Sequence, residues 1–177
     1  FQDNWDINAK DFADMLSKSL AKTGNLLVSV NNYPRRMIEK FADLYTYDIK
    51  SLFENLFDET QELKARITNF KIGIDLVLKK WNPKGGKSHY QTDNVISTYL
   101  WLRFPDKYYI YKPVVAQAVF DKLGIDIKLR GKGAEAIEQT YQLYDKIANE
   151  LSKDEDYLQL LTNALNDDCY KDSILRT

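Results

Sequence analysis

The stretch ETQELKARITNFKIGIDLVLKKW, residues 59–81, contains the longest helical pattern in the chain. Its apolar side chains recur every three or four residues, the spacing that places them on one face of a helix. Asp58 and Gln61 have the spacing of a capping box, so we expect this helix to begin near residue 59. Gly73 interrupts the pattern. Because glycine costs about 1 kcal/mol relative to alanine inside a helix, we expect close packing at Gly73.

Shorter amphipathic patterns on both sides of this segment predict a mainly α protein. Pro34 and Pro113 suit the first turn of a helix, and Gly24, Pro105 and Gly124 mark helix ends. The patterns predict a compact bundle of about seven helices with little or no β, and we expect residues 1–177 to form a single helical domain.

The last part of the chain adds three further expectations. Residues 125–129 (IDIKL) alternate like a short strand. Ser152 and Glu155 have the spacing of a capping box, so we expect a final helix to begin there. Its apolar side chains are predicted to face the core; they are Leu158, Leu161 and Leu165.

Composition narrows the function classes. Of the 177 residues, 44% are hydrophobic and 29% charged, which is typical of a globular protein, and no apolar run approaches the roughly 18 residues of a membrane span. Cys169 and His89 are the only cysteine and histidine, too few for a structural zinc site. A lone thiol is compatible with a reducing compartment, so we expect a cytoplasmic protein. Because no apolar run is long enough to span a membrane, we expect no membrane partner. Because the chain begins at Phe1 and ends at Thr177, we expect a fragment of a longer multidomain protein.

The middle of the chain is basic. Residues 64–112 hold 10 basic and 3 acidic side chains, a net charge of +7, whereas residues 1–63 and 113–177 each have a net charge of −4. Lysine and arginine neutralise phosphates, and exposed aromatic rings stack on unpaired bases, so this block predicts a DNA-binding surface. The alternative is that the aromatic side chains belong to the core and the lysines to a solvated rim. The candidate residues are Lys79, Lys80, Lys84, Lys87, His89, Tyr90, Arg103, Lys107 and Lys112.

Two short motifs resemble those of nucleotide-binding and nuclease sites. The string GGKS at residues 85–88 is similar to the end of a phosphate-binding loop, but Trp81 stands where that motif requires glycine, so we expect no nucleotide site here. Asp106, Asp126 and Lys128 follow the Pro-Asp…Asp-x-Lys spacing of a class of metal-dependent nucleases, in which two carboxylates on adjacent strands bind Mg²⁺. The other explanation is a turn aspartate and a surface strand.

Two stretches resemble a known family: NNYPRRMIEKFADLY at residues 31–45, continuing through 52–67, and ISTYLWLRFPDKYYIYK at residues 96–112, continuing through 119–125. Together they look like the helical N-terminal region of bacterial McrB-like AAA+ proteins, the NTP-driven subunits of modification-dependent restriction systems. The resemblance covers about residues 26–130 and carries over no catalytic, metal-binding or nucleotide-binding residue.

The resemblance implies a non-catalytic targeting or specificity domain. ATP or GTP with Mg²⁺ is expected only in a motor domain that follows later in such proteins, so no cofactor is expected in this chain. The implied partners are DNA and a nuclease subunit or other subunits of the same system. The alternative is a structural or protein-interaction domain that binds no DNA, and the third reading is the metal-dependent nuclease.

Overall fold

A computed structural model describes residues 1–28 and 33–166, which exclude Cys169. Within these ranges the chain is helical and has no β-strand, so the prediction of a mainly α protein is confirmed. There are nine helices in this part of the chain, against about seven predicted, and one of them has only four residues. They are α1 (Phe12–Ser19), α2 (Gly24–Leu27), α3 (Pro34–Leu44), α4 (Thr46–Phe57), α5 (Leu63–Trp81), α6 (Asp93–Arg103), α7 (Pro113–Lys122), α8 (Ala134–Leu151) and α9 (Glu155–Ala164).

Helix α5 lies at the centre of the packing, with α4 and α8 against it, α3 on α4, and α1 on α3. The core between these helices is aromatic. The ring of Phe53 lies 5.5 Å from that of Phe70 and 5.2 Å from that of Tyr99, both in edge-to-face arrangements. All three side chains are fully buried. Such pairs contribute about 0.5–1.5 kcal/mol each beyond the burial of their area.

The first turn predicted for α5 is wrong. The helix begins at Leu63, and the Asp58 carboxylate instead closes a separate turn. Asp58 accepts hydrogen bonds from the Thr60 amide at 3.1 Å and from the Gln61 side chain at 2.7 Å. Short polar side chains compete with a helix in this way by bonding the nearby backbone. The pattern that extends from residue 59 therefore contributes 19 helical residues, about 28 Å in length.

The close packing expected at Gly73 is confirmed. A Cβ atom added there would overlap the Cδ2 atom of Leu52 on α4. The glycine therefore allows α4 to approach α5 closely.

We expect Gly73→Ala to stabilise the protein by about 1 kcal/mol more in a Leu52→Ala background than in the wild type. Alanine recovers helix propensity in both backgrounds, but only in the wild type must Leu52 move to make room. Urea unfolding of the four proteins in this double-mutant cycle measures the difference. Equal effects of Gly73→Ala in the two backgrounds would show that the contact is not restrictive.

Three predictions near the end of the chain are also wrong. Residues 125–129 form no strand, since the Leu129 amide donates to the Gln117 side chain on α7 at 2.9 Å. Helix α9 is capped by Asp154, which accepts from the Tyr157 amide at 2.9 Å, whereas Ser152 ends α8. No residue of α9 is buried, so its leucines do not face the core. Amphipathic spacing identifies an apolar face but not the surface that covers it.

Among the residues described, no helix has both the length and the apolar character that crossing a membrane requires.

Candidate nucleic-acid interface

The candidate lysines begin at the C-terminal end of α5. Lys79 and Lys80 lie in its last turn, where cations interact favourably with the helix dipole. The loop that follows turns sharply because the Asn82 side chain donates to the Gly85 carbonyl at 2.6 Å. Gly85 and Gly86 have φ values of 75° and 77°, a backbone conformation that favours glycine. Lys84 is exposed in this turn, and Lys87 is exposed three residues later in the same loop.

His89 anchors this loop to α5. Its Nε2 atom lies 3.1 Å from the Asp75 carboxylate, and its Nδ1 atom accepts the Gln91 amide at 2.8 Å. Because Nδ1 accepts a hydrogen bond, the proton of the neutral ring belongs on Nε2, facing Asp75. His89 is therefore held by the fold rather than presented to a ligand.

Gln91 fixes the other end of the loop, a role that sequence reasoning missed. Its buried side chain donates to the Pro34 carbonyl at 2.8 Å and accepts the Tyr99 hydroxyl at 2.7 Å. A glutamine in a polar loop is usually exposed, so the sequence contains no signal for this role. Tyr90, between the two anchors, is half-buried and has a positive φ of 58°.

Two of the candidate lysines already pair with carboxylates of the protein, so their charges are less available to a phosphate. Lys80 Nζ lies 2.6 Å from the Asp48 carboxylate on α4, and Lys107 Nζ lies 2.8 Å from Glu59. The Arg103 guanidinium lies over the Phe104 ring, 5.0 Å from its centroid. Five candidate cations make no ion pair with any residue in 1–28 or 33–166; they are Lys79, Lys84, Lys87, Arg103 and Lys112.

The structure does not bring all nine candidates to one place. Arg66 near the start of α5 donates to the Tyr108 hydroxyl at 2.7 Å, so Lys107 lies at that end of the helix. Lys79 is thirteen residues further along α5, about 20 Å away at 1.5 Å per residue. The lysines of the loop therefore form one group, and Lys107 belongs to the opposite end of the helix.

Most of the aromatic side chains of the basic block are not on the predicted surface. Tyr99, Tyr108, Tyr109 and Tyr111 are buried in the core, as the alternative interpretation predicts, and are not available for base stacking. Trp81 is half-buried, and its ring lies 4.5 Å from the ammonium of Lys40. Lys40 adds a cation to this end of α5. It lies within the acidic first third of the chain, so the charge blocks did not reveal it.

The nuclease pattern lacks the strands on which it depends. Neither 107–112 nor 125–129 is a strand, so Asp106 and Asp126 are not on adjacent strands. Lys128 lies 3.4 Å from the Asp121 carboxylate on α7. In the part of the chain that the structure describes, no group of three or more His, Cys, Asp or Glu side chains could hold a metal ion. No observation in these residues favours this chemistry.

No protein-family model, curated protein or solved structure gives a significant match to the chain.

Proposed function

We propose that this chain is a non-catalytic targeting domain that contacts the DNA backbone through a loop cluster, which consists of Lys79, Lys84 and Lys87. The observation that supports this proposal is that all three are exposed at one end of α5 and lack a carboxylate partner among the described residues. Two glycines at positive φ hold the loop in its turn, so the cations stand away from the helical core. Unpaired lysines of this kind suit phosphate contacts.

The number of lysines in the loop cluster determines how steeply the affinity for DNA should depend on salt. Three phosphate contacts give a slope of about −2.7 in a plot of log affinity against log salt, so affinity should fall about 40-fold between 50 and 200 mM salt. Such contacts orient a protein on a duplex without selecting sequence. We therefore expect weak binding that is nearly independent of sequence.

The resemblance to McrB-like proteins supports the biological part of the proposal. The domain would direct a restriction ATPase to DNA in the bacterial cytoplasm, and a nuclease subunit would be a further partner. ATP or GTP with Mg²⁺ would bind in a motor domain, and no residue of this chain is proposed to bind either.

We expect the triple variant Lys79→Glu/Lys84→Glu/Lys87→Glu to bind duplex DNA far more weakly than the wild type at low salt. Removing three phosphate contacts should flatten the salt slope, because each contact contributes about one to it. Lys80 is left unchanged because its loss would leave Asp48 without its partner. Fluorescence anisotropy of a labelled duplex over a salt series measures both quantities.

The matched control is Lys10→Glu/Lys122→Glu/Lys146→Glu, which changes net charge equally at exposed lysines with no ion pair among the described residues. It should retain most of the binding. Equal losses in the two triple variants would mean that net charge alone governs binding, and full binding by the loop variant would contradict the proposed interface.

A protein-interaction domain is the second candidate, and a groove between α4 and α5 favours it. The groove, about 540 Å³ in volume, is lined by Tyr47 and Leu76, of which Tyr47 is 84% exposed. Exposed apolar groups that share one concavity are typical of a protein contact. If this candidate is correct, the chain shows no salt-dependent DNA binding, and Tyr47→Asp abolishes its contact with a subunit of the same system.

A further inference from the structure

Helix α3 carries two cations that have no carboxylate partner. Arg36 and Lys40 are both exposed, and neither makes an ion pair with any residue that the structure describes. The neighbouring Arg35 differs, because its guanidinium lies 2.8 Å from the Glu39 carboxylate. Arg36 and Lys40 are four residues apart, about 6 Å along the helix axis, and therefore lie on the same face of α3.

The stability of α3 does not explain this pair of cations. Like charges at positions i and i+4 of a helix repel each other. Arg36 also lies in the first turn of α3, which contains no acidic residue, and the helix dipole disfavours a cation there. The pair therefore breaks two local rules of helix stability. Such departures are expected where residues serve function rather than folding.

Aromatic rings hold both cations in place. The Arg36 guanidinium lies 5.2 Å from the centroid of the Tyr33 ring, and the Lys40 ammonium lies 4.5 Å from that of Trp81. A contact of this kind orients a cation over a ring without neutralising its charge. Both cations thus keep their charge for an anionic ligand.

The loop between α5 and α6 runs beside these two cations. It follows Trp81, the last residue of α5, whose ring contacts Lys40. Near its other end, the Gln91 side chain donates to the Pro34 carbonyl at the start of α3. Between these two anchors α3 extends about 9 Å and includes Arg36. The exposed lysines of the loop are therefore held along the part of α3 that carries both cations.

Few carboxylates compete for these cations. Helices α3 and α5 and the loop between α5 and α6 contain three acidic side chains. Glu39 pairs with Arg35, and Asp75 contacts His89 at 3.1 Å. Asp43 makes no ion pair with a described residue and lies nearer the C-terminal end of α3. The two cations of α3 and the three of the loop cluster thus share these elements with a single unpaired carboxylate.

We propose that Arg36 and Lys40 form a second row of phosphate contacts beside the loop cluster, so that α3 and the loop together bind the backbone of one DNA duplex. The inference rests on the proposed function, because it extends the same interface. Five contacts in place of three change the slope of log affinity against log salt from about −2.7 to about −4.5. Affinity should then fall about 500-fold between 50 and 200 mM salt, rather than about 40-fold.

The double variant Arg36→Gln/Lys40→Gln tests the second row, because it removes both cations and leaves the loop cluster unchanged. Glutamine has a helix propensity close to those of arginine and lysine, so α3 should stay folded, which circular dichroism checks. Fluorescence anisotropy of a labelled duplex over a salt series should show weaker binding with a slope shallower by about 1.8. The advantage of the wild type in affinity should accordingly shrink about 12-fold between 50 and 200 mM salt.

The matched control is Lys122→Gln/Lys146→Gln, which removes the same charge at exposed lysines that make no ion pair with a described residue. It should keep the wild-type slope. Equal changes of slope in the two double variants would overturn the inference, because net charge alone would then govern binding. A wild-type slope in Arg36→Gln/Lys40→Gln would also overturn it, while leaving the loop cluster as the interface. A wild type without salt-dependent binding would instead contradict the proposed function itself, and the inference with it.

Discussion

Raising the pH above 10 should unfold this protein steeply, because two buried tyrosines cannot ionise in the folded state. The Tyr99 hydroxyl donates to Gln91 at 2.7 Å, and the Tyr141 hydroxyl donates to the Tyr109 carbonyl at 2.6 Å. Burial raises the pKa of both tyrosines far above the usual value of 10.0. A phenolate at either position would lose its hydration and its hydrogen-bonded partner.

The direction of the effect follows from proton binding in the two states. Below pH 10 both the folded and the unfolded state keep the phenolic protons, so the contribution of these two tyrosines to the free energy of unfolding does not change with pH. Above pH 10 the unfolded chain releases the protons and the folded chain keeps them, so the free energy of unfolding falls by about 1.4 kcal/mol per pH unit for each tyrosine. For the pair the loss reaches about 5 kcal/mol at pH 12, which is comparable with the whole stability of a typical domain.

Urea unfolding between pH 8 and pH 12, followed by circular dichroism, measures this slope. In Tyr99→Phe we expect lower stability at neutral pH, by about 1–2 kcal/mol, because Gln91 loses its donor. The slope above pH 10 should nevertheless be shallower by about 1.4 kcal/mol per pH unit. Tyr47→Phe, at an exposed tyrosine, is the control and should leave the slope unchanged. An unaltered slope in Tyr99→Phe would show that Tyr99 ionises in the folded state.

Helical periodicity predicted the fold class because it reports which residues share a face, and α5 illustrates both its success and its limit. The buried stripe through Ile67, Phe70, Ile74 and Val77 is confirmed. The first turn was wrong because the Asp58 side chain bonds locally, and periodicity does not measure that competition. The leucines of α9 were wrong for another reason: an apolar face has the same spacing whether its own chain or another molecule covers it.

The candidate interface was less predictable because it depends on contacts between distant parts of the chain. Lys80 pairs with Asp48, 32 residues earlier, and Lys107 pairs with Glu59, 48 residues earlier. A count of charges in a block does not detect such pairs. Nor does it show that Lys79 and Lys107 lie at opposite ends of a long helix. Lys40 was missed because only the fold brings it against Trp81.

The second large effect concerns Arg66, a buried arginine that makes no direct ion pair with a described residue and is linked to the Glu59 carboxylate through a tyrosine. Arg66 is 3% exposed and donates to the Leu56 carbonyl at 2.9 Å and to the Tyr108 hydroxyl at 2.7 Å. That hydroxyl donates in turn to Glu59 at 3.0 Å. Burial alone would raise the pKa of Glu59, but hydrogen bonds from Lys107 and Tyr108 outweigh it and hold the pKa below the usual 4.5.

We expect Glu59→Ala to destabilise the protein by about 2–3 kcal/mol, because it leaves the Arg66 charge buried without its carboxylate. The value is at the low end for a buried pair because the Glu59 side chain is 29% exposed. In an Arg66→Met background the same substitution should cost only about 1 kcal/mol, since the ion pair with Lys107 and the hydrogen bond from Tyr108 are then lost but no buried charge is left without a partner. Urea unfolding of the four proteins gives the coupling energy.

Lys107→Met separates the buried interaction from the surface one. Lys107 is more than half exposed, so its loss should cost at most about 1 kcal/mol, whereas Glu59→Ala removes the partner of both cations. The contribution of Glu59 is present above pH 4.5 and is lost as the pH falls through its lower folded-state pKa, so the coupling should disappear in acid. If Glu59→Ala costs the same with and without Arg66, the carboxylate acts only on Lys107 and the Tyr108 hydroxyl, and the Leu56 carbonyl and the Tyr108 hydroxyl alone stabilise the buried guanidinium.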